Sequence, residues 1–375
     1  MEDKELFLAL LNTPSITPND GGLLAFVEDY LPNFTAKRVD VDGVKNLFLY
    51  RKFGEGVHLC FAGHVDVVPP GEGWESDPFE PVEKDGFIYA RGAQDMKSGV
   101  CAILQICRQV THFNGTLSIL LTSDEEGEAK NGTAKVLEIL NEEKLLPDFA
   151  IVAEPTCEKN FGDTIKIGRR GSINGTIELM GEQGHVAYPQ NVKNPIHQIA
   201  TILPKIAEHA FDEGDSVFAP SKLVITDIKA GNNVTNVTPK TLKLMFNVRN
   251  SPSTKIENVE RYIRSIFGLL YLVNNPGKEQ LKFNLELNES AKPFLTDKSS
   301  ILIAHLSRSI EEVTGLVPEL SAGGGTSDAR FFAEFGVSVA EFGVMHDTIH
   351  AANERCYLSH LRGLINVFKL LVEKF

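Results

Sequence analysis

The sequence is poor in cysteine, with five among 375 residues (Cys60, Cys101, Cys107, Cys157 and Cys356), an odd number that forms no CxxC pair. They read as reduced, mostly buried thiols of a cytoplasmic protein, and a chain this long has core enough to need no disulfide scaffold. Basic residues are in deficit: 37 Lys and Arg against 50 Asp and Glu give a net charge of −13, with no block of five or more cations. That disfavours a nucleic-acid partner, whose affinity comes from neutralised phosphates, and an anionic membrane surface. No apolar run reaches the ~18 residues of a membrane span. The opening Met1-Glu2-Asp3-Lys4-Glu5 carries acids where a secretory signal would be basic. No GxSxG elbow, Walker A loop or GxGxxG fingerprint occurs, so serine hydrolase and nucleotide-binding readings lose their usual support.

What is present is ordinary globular composition, 42% hydrophobic and 23% charged, which argues against disorder. The length suggests two or three domains at roughly 150 residues each. The first 170 residues alternate helical patterns (3–12, 21–31, 97–110, 131–140) with short apolar runs such as 57–62, 116–121 and 149–152. This is the signature of an α/β domain with a largely buried sheet. From about 172 the rhythm changes. Strand-like alternation at 176–180, 223–228, 242–248 and 283–287, with helices near 195–210 and 255–272, gives the order β-α-β-β-α-β of a ferredoxin-like unit. Helices near 298–314, 327–335 and 353–373 then restore the α/β character. The middle unit therefore reads as an insertion into one α/β domain.

Five weak signals share one placement. His64 and Asp66 follow the run at 57–62, and in extended chain positions i and i+2 face the same way. A carboxylate beside an imidazole can fix the tautomer that binds a metal, although an ordinary solvated loop fits as well. Asp95 precedes the helix near 97 and has helix capping as its bland explanation. Asp124-Glu125-Glu126 crowd three acids at a strand end, which is costly without a cation unless the loop is simply solvated. Glu154 directly follows a buried strand, and His350 lies near the C-terminus. His64, Asp95, Glu126, Glu154 and His350 are nitrogen and oxygen ligands suited to zinc. Two Zn²⁺ give +4, and three carboxylates with one hydroxide give −4, so a paired-metal hydrolytic site would be electrically balanced.

The stretches GHVDVVPPG (63–71), ARGAQDMK (90–97), SDEEG (123–127) and AEPT (153–156) resemble the co-catalytic dizinc amidohydrolase and exopeptidase family of aminoacylases, acetylornithine deacetylases and carboxypeptidases. GRRGSI (168–173), GHVAYP (184–189), GGTSDARF (324–331) and DTIHAANE (347–354) extend the likeness over nearly the whole length. Three of these, GRRGSI, GHVAYP and GGTSDARF, narrow it toward the branch that removes succinate from N-succinyl-L,L-diaminopimelate, in lysine and cell-wall precursor synthesis. The resemblance implies a zinc-exopeptidase-like catalytic domain with a mixed sheet flanked by helices, in two parts (1–171 and 287–375). Residues 172–286 would form an inserted ferredoxin-like α+β lid through which a homodimer assembles.

The resemblance also implies roles. Asp95 would bridge two Zn²⁺ per subunit, with Co²⁺ an alternative ion; His64 and Glu154 would complete one site, Glu126 and His350 the other. Asp66 would orient His64, and Glu125 would be the general base and later the acid. His185 would reach the active site of a partner subunit and stabilise the oxyanion. Arg169, Ser172, Tyr188, Asn236, Arg249, Gly325 and Thr326 would contact a small dicarboxylic amide, since arginines bind carboxylates bidentately. For Arg249 a surface salt bridge is the structural alternative. Two departures from the family pattern stand out. Ser98 replaces a usual glycine and, being small at a helix start, should have no consequence. His346 stands where Asn is usual and, four residues before His350, mimics a helical metal pair, but the intervening Thr-Ile reads as strand or loop, so His346 is expected to be structural. The alternatives are another acylated-amino-acid or peptide substrate within the family and, outside it, a non-catalytic dimeric metal-binding protein.

Overall fold

The computed structural model describes residues 1–231, 233–277 and 279–375, the side chains of Leu270 and Asn274 apart. The chain divides into two compact units: Met1–Gly168 with Leu295–Ser321 and Ser327–Phe375, and Arg169–Phe294 with Ala322–Thr326.

The larger unit is built on an eight-stranded mixed sheet. Its spatial order is Thr35–Arg38, Asn46–Lys52, Gly115–Thr122, Val57–His64, Phe149–Val152, Ser338–Glu341, Thr164–Lys166 and Glu319–Ser321. The four central strands, 115–122, 57–64, 149–152 and 338–341, run parallel. Such strands are covered on both faces, which is why the sequence there is nearly continuous in apolar residues. Leu59, Phe61, Leu117, Ile119 and Ile151 point into the main core beneath helices Asp3–Leu11, Lys97–Gln109, Ile301–Thr314 and Leu358–Lys374. Phe48, Leu120 and Val152 alternate to the other face, where helices Thr133–Glu142 and Ala329–Glu334 pack. The helix Lys97–Gln109 is buried without a break from Lys97 to Cys107. It packs close to the strand ends because Gly99 has no Cβ: one built there would lie 2.3 Å from the Ala153 carbonyl oxygen. Ser98 fits the helix start, its hydroxyl donating to the Gln94 carbonyl at 3.3 Å.

The smaller unit is a four-stranded antiparallel sheet in the order Lys222–Ala230, Thr241–Arg249, Ser172–Met180, Lys282–Ala291. With its helices this is the ferredoxin-like β-α-β-β-α-β arrangement. Ile173, Ile177, Leu242, Leu244, Phe246 and Val248 face helix residues Ile199, Ile206, Val259 and Ile263 in a core of their own. The Phe246 ring lies across Gly175, where a Cβ would sit 2.0 Å from it.

Three details depart from the sequence reading. The helix expected over 195–210 is two short ones, Pro195–Ala200 and Leu203–Ile206, because Pro204 cannot donate to a continuing ladder. The helix expected from 353 starts at Leu358, since Arg355–Tyr357 pairs instead with strand Phe87–Tyr89. The last strand of the smaller unit continues to Ala291, past the boundary expected at 286.

Candidate active site

The carboxyl ends of three of the four central parallel strands carry the site, as open α/β sheets place their ligands. His64 ends strand 57–64, Glu125 and Glu126 follow strand 115–122, and Glu154 follows strand 149–152. Asp95 and His350 come in on loops. The Asp95 carboxylate lies between the two histidines, Oδ1 3.2 Å from His64 Nε2 and Oδ2 3.2 Å from His350 Nε2. Glu154 Oε1 stands 3.7 Å from His64 Nε2, and Glu126 Oε1 stands 2.8 Å from His350 Nε2. Asp95 is therefore no helix cap: Met96 occupies that position and makes no side-chain capping bond.

His64 and Asp95 with Glu126, and His64 and Glu125 with Glu154, each gather donor atoms within 4.8 Å of one another. Among the described residues the ion-pair partners of Asp95, Glu126 and Glu154 are these same two histidines. Burial pushes the His64 ring toward neutrality, yet the Asp95 hydrogen bond and the Glu154, Asp66 and Glu125 charges hold it well above the ordinary imidazole value. His350 is lifted to about 10 by its bonds to Asp95 and Glu126. Burial drives Glu154 and Glu125 well above the ordinary carboxylate range; Asp95 opposes ionisation of both, and Asp328 and Glu126 add their repulsion at Glu125. Acids so crowded, sharing two imidazoles, form a donor set that fits divalent cations. A bridging carboxylate with an imidazole–carboxylate pair on either side suits two of them. His64 is 1% exposed and His350 49%, so the site is closed on the first side and open on the second.

Asp66 is buried beside this set, but its contacts differ from those expected. The His64 Nδ1–H donates to the Asp66 backbone carbonyl at 2.8 Å, while the carboxylate is 3.6 Å away. That carboxylate accepts the backbone N–H of Glu125 at 3.4 Å and of Glu126 at 3.2 Å, fixing the acidic loop. Asp124 accepts three backbone N–H groups, from Glu128, Lys130 and Asn131, and organises the turn beyond. Three consecutive acids thus hold three different positions. His346 stays outside the cluster and donates its backbone N–H to the Cys157 carbonyl at 3.2 Å.

The remaining expected site residues lie in the smaller unit. His185 is exposed, and its Nδ1 accepts the Ala187 backbone N–H at 3.1 Å, which leaves Nε2 as the donor. The neighbouring backbone pairs with the segment holding Asn236, whose carbonyl accepts the Val186 N–H at 3.1 Å. Tyr188 and Asn236 are exposed. Arg249 ends its strand on the solvent face, opposite Lys222. Ser172 is buried, its hydroxyl accepting from Asn247 Nδ2 at 2.9 Å. Arg169 is buried and donates to the Gly323 carbonyl at 3.1 Å, beside exposed Gly325 and Thr326.

Arg91 and Gln94 in ARGAQDMK and Glu354 at the end of DTIHAANE carry no local mark of function in the sequence, yet all three are buried around the Asp95 loop. Asp328 is another. Burial raises its carboxyl to about 6, and it stands close enough to Glu125 to repel it.

A model of the peptidase family M20/M25/M40 matches residues 60–374. The succinyl-diaminopimelate desuccinylase of Nitratiruptor sp. is 58% identical over 375 residues, covering 100% of both chains. That of Nautilia profundicola is 54% identical over 371 residues, covering 99% of each. An M20 family metallo-carboxypeptidase from Sulfolobus solfataricus has a similar structure, with a TM-score of 0.76 at 17% identity over 100% of this chain and 99% of that one.

Proposed function

The chain belongs to peptidase family M20/M25/M40, and from that premise we propose that it is a metal-dependent amide hydrolase. It removes succinate from N-succinyl-L,L-diaminopimelate to give L,L-diaminopimelate, the reaction for which its relatives of 54–58% identity are named. The observation that carries the chemistry is Asp95, each of whose oxygens lies 3.2 Å from a different histidine at the strand ends.

His64, Asp95 and Glu154 would hold one ion and Asp95, Glu126 and His350 a second, both zinc. When bound, the ions polarise the amide carbonyl and lower the proton affinity of water. Glu125, beside His64 and Glu154, takes the proton of the attacking water on its carboxylate. As the C–N bond breaks, Glu125 delivers that proton to the leaving amine nitrogen, and the water's hydroxyl remains on the succinate carbon. Asp66 holds the backbone of Glu125 and Glu126 through its carboxylate and the His64 ring through its carbonyl.

His185 of a second copy of the chain, its tautomer set by the Ala187 N–H, donates through Nε2 to the carbonyl oxygen as charge develops there. Arg169, Ser172, Tyr188, Asn236, Arg249, Gly325 and Thr326 receive the substrate's carboxylates and amide. The homodimer forms through the smaller unit. The working compartment is the cytoplasm, in keeping with five free and buried cysteines.

Steady-state kinetics with controlled zinc, comparing succinylated with acetylated amines, tests the reading. The succinylated diaminopimelate should be cleaved with the higher kcat/KM. If no divalent ion supports its hydrolysis, the assignment fails.

A further inference from the structure

The ligands reach the site by two different routes. His64 and Glu154 are set by strand ends, whereas Asp95 and His350 sit on loops without sheet registry. His350 also has a left-handed backbone, φ +59°, a conformation that persists in a non-glycine residue only where surroundings enforce it. Close by in the chain, Glu354 is fully buried and binds the Asp95 loop. Its Oε1 accepts the backbone N–H of Gln94 at 2.8 Å and of Asp95 at 3.0 Å. Its Oε2 accepts the Gly92 N–H at 3.0 Å and Arg91 Nη1 at 2.6 Å. Arg91, 1% exposed, turns its Nη2 to the carbonyl of Pro70 at 3.0 Å and of His350 at 3.3 Å. The Gln94 side chain adds a second strut, donating to Asp347 Oδ1 at 2.6 Å and accepting from the Thr348 N–H at 2.9 Å and hydroxyl at 2.8 Å.

We propose that the buried Glu354–Arg91 pair, with Gln94, is a positioning brace that fixes Asp95 and His350 relative to each other and so sets the affinity of the ion held by Asp95, Glu126 and His350. None of the three side chains is among the proposed ligands. The inference rests on the two-ion reading above. Its distinctive consequence is asymmetry: weakening the brace disturbs Asp95, which both ions share, but only the Glu126–His350 side also loses the placement of His350, so that side weakens more than the His64–Glu154 side, whose other ligands are placed by strand ends. Outer partners that orient ligands commonly change metal affinity 10- to 100-fold.

The test is calorimetric titration of metal-free protein with Zn²⁺ alone, on wild type, Glu354→Gln and Gln94→Ala, with thermal melts of each metal-free form. Gln at 354 keeps the shape but must turn its NH₂ toward two of the four donors, so half of the contacts become repulsive. Wild type should take two equivalents. Glu354→Gln should bind one equivalent within about threefold of wild type and the other at least tenfold less well. Glu354→Asp, which keeps the charge at shorter reach, should recover part of that loss. Equal loss at both sites, or a lowered melting temperature with both affinities unchanged, would reduce Glu354 to a purely structural role and overturn the proposal. Should Glu354→Gln fail to fold, Gln94→Ala decides, and unchanged affinity at both sites overturns the brace. Wild type that binds no Zn²⁺ refutes the two-ion reading, and the brace with it; two equivalents with unaltered variants refutes the brace alone.

Discussion

The two units solve opposite problems. In the larger one, polar groups are taken out of water and held by many bonds: Asp66, Glu354 and Arg91 are each essentially unexposed, and their partners are mostly backbone groups of the ligand loops. In the smaller one, His185, Tyr188, Asn236 and Arg249 stand in solvent, with His185 fixed by one local bond. Reaction chemistry gains from preorganised groups in a dry setting, because they need not reorganise when charge moves. Of the residues proposed for recognition, these exposed ones are the first to meet a charged substrate, ahead of buried Arg169 and Ser172. Damage to the buried set should therefore remove turnover, and damage to the exposed set should mainly weaken binding.

The sharpest test of that contrast is Glu125→Gln. The side chain keeps its size and leaves His64, Asp95 and Glu154 in place, so metal content should persist while kcat falls at least ~10²-fold, as for a lost general base. Metal analysis alongside turnover separates the two effects; near-normal turnover would remove Glu125 from the mechanism.

Next comes the exposed residue of the smaller unit that is proposed to act on the chemistry. Glu125→Gln and His185→Ala chains, each nearly inactive alone, should complement when mixed if His185 serves the neighbouring copy. Random assembly makes about half the dimers mixed, each with one intact site, so activity should return to about one quarter of wild type. Verified subunit exchange with no recovery would confine His185 to its own chain or to no role.

Arg249→Lys should have a smaller effect, on binding. Lysine keeps the charge but not the two-pronged fork, so KM should rise about tenfold with kcat and melting temperature nearly unchanged. An unchanged KM with lowered stability would make Arg249 a surface salt-bridge residue instead.

The same contrast explains what could be read from the sequence. Period-two alternation made the ferredoxin-like unit legible because its sheet has one apolar face, as Leu242, Leu244, Phe246 and Val248 show. Of the proposed ligands, His64, Glu126 and Glu154 were legible because they come at or just after apolar runs, whereas Asp95 and His350, on loops, stand out only through the family motifs. Glu354 was not legible, since its Arg91 partner is 263 positions away and nothing local marks a glutamate as buried. Nor could sequence tell whether Asp66 would use its carboxylate or its carbonyl on His64. That depends on how the chain turns after the strand. Asp95 has the look of a helix cap, and only the placement of His350 on a distant loop shows otherwise.

The smallest expected effect on turnover is at Asp212, the smaller unit's own organising acid. Its Oδ1 accepts the backbone N–H of Gly214 and of Ser221, each at 3.0 Å. Its Oδ2 accepts from the hydroxyls of Ser251 at 2.9 Å, Ser253 at 3.3 Å and Thr254 at 2.6 Å. Partial burial pushes this carboxyl upward, but the hydroxyl and backbone donors outweigh it and hold the group well below the ordinary carboxylate range. A carboxyl whose proton affinity is lowered by folding stabilises the fold above its unfolded pKa of about 4, and the contribution is lost as pH falls toward the folded value. Asp212→Asn should therefore cost about 2 kcal/mol at pH 7, where an anion accepting from several donors is replaced by a neutral amide. At pH 3 the gap between the two proteins should narrow, because the wild-type advantage is itself being titrated away. Taking the difference also cancels the acid sensitivity that both proteins share through the larger unit. Urea melts at the two pH values measure it; a gap as wide at pH 3 as at pH 7 would mean that packing, and not the charge, holds this corner of the smaller unit together.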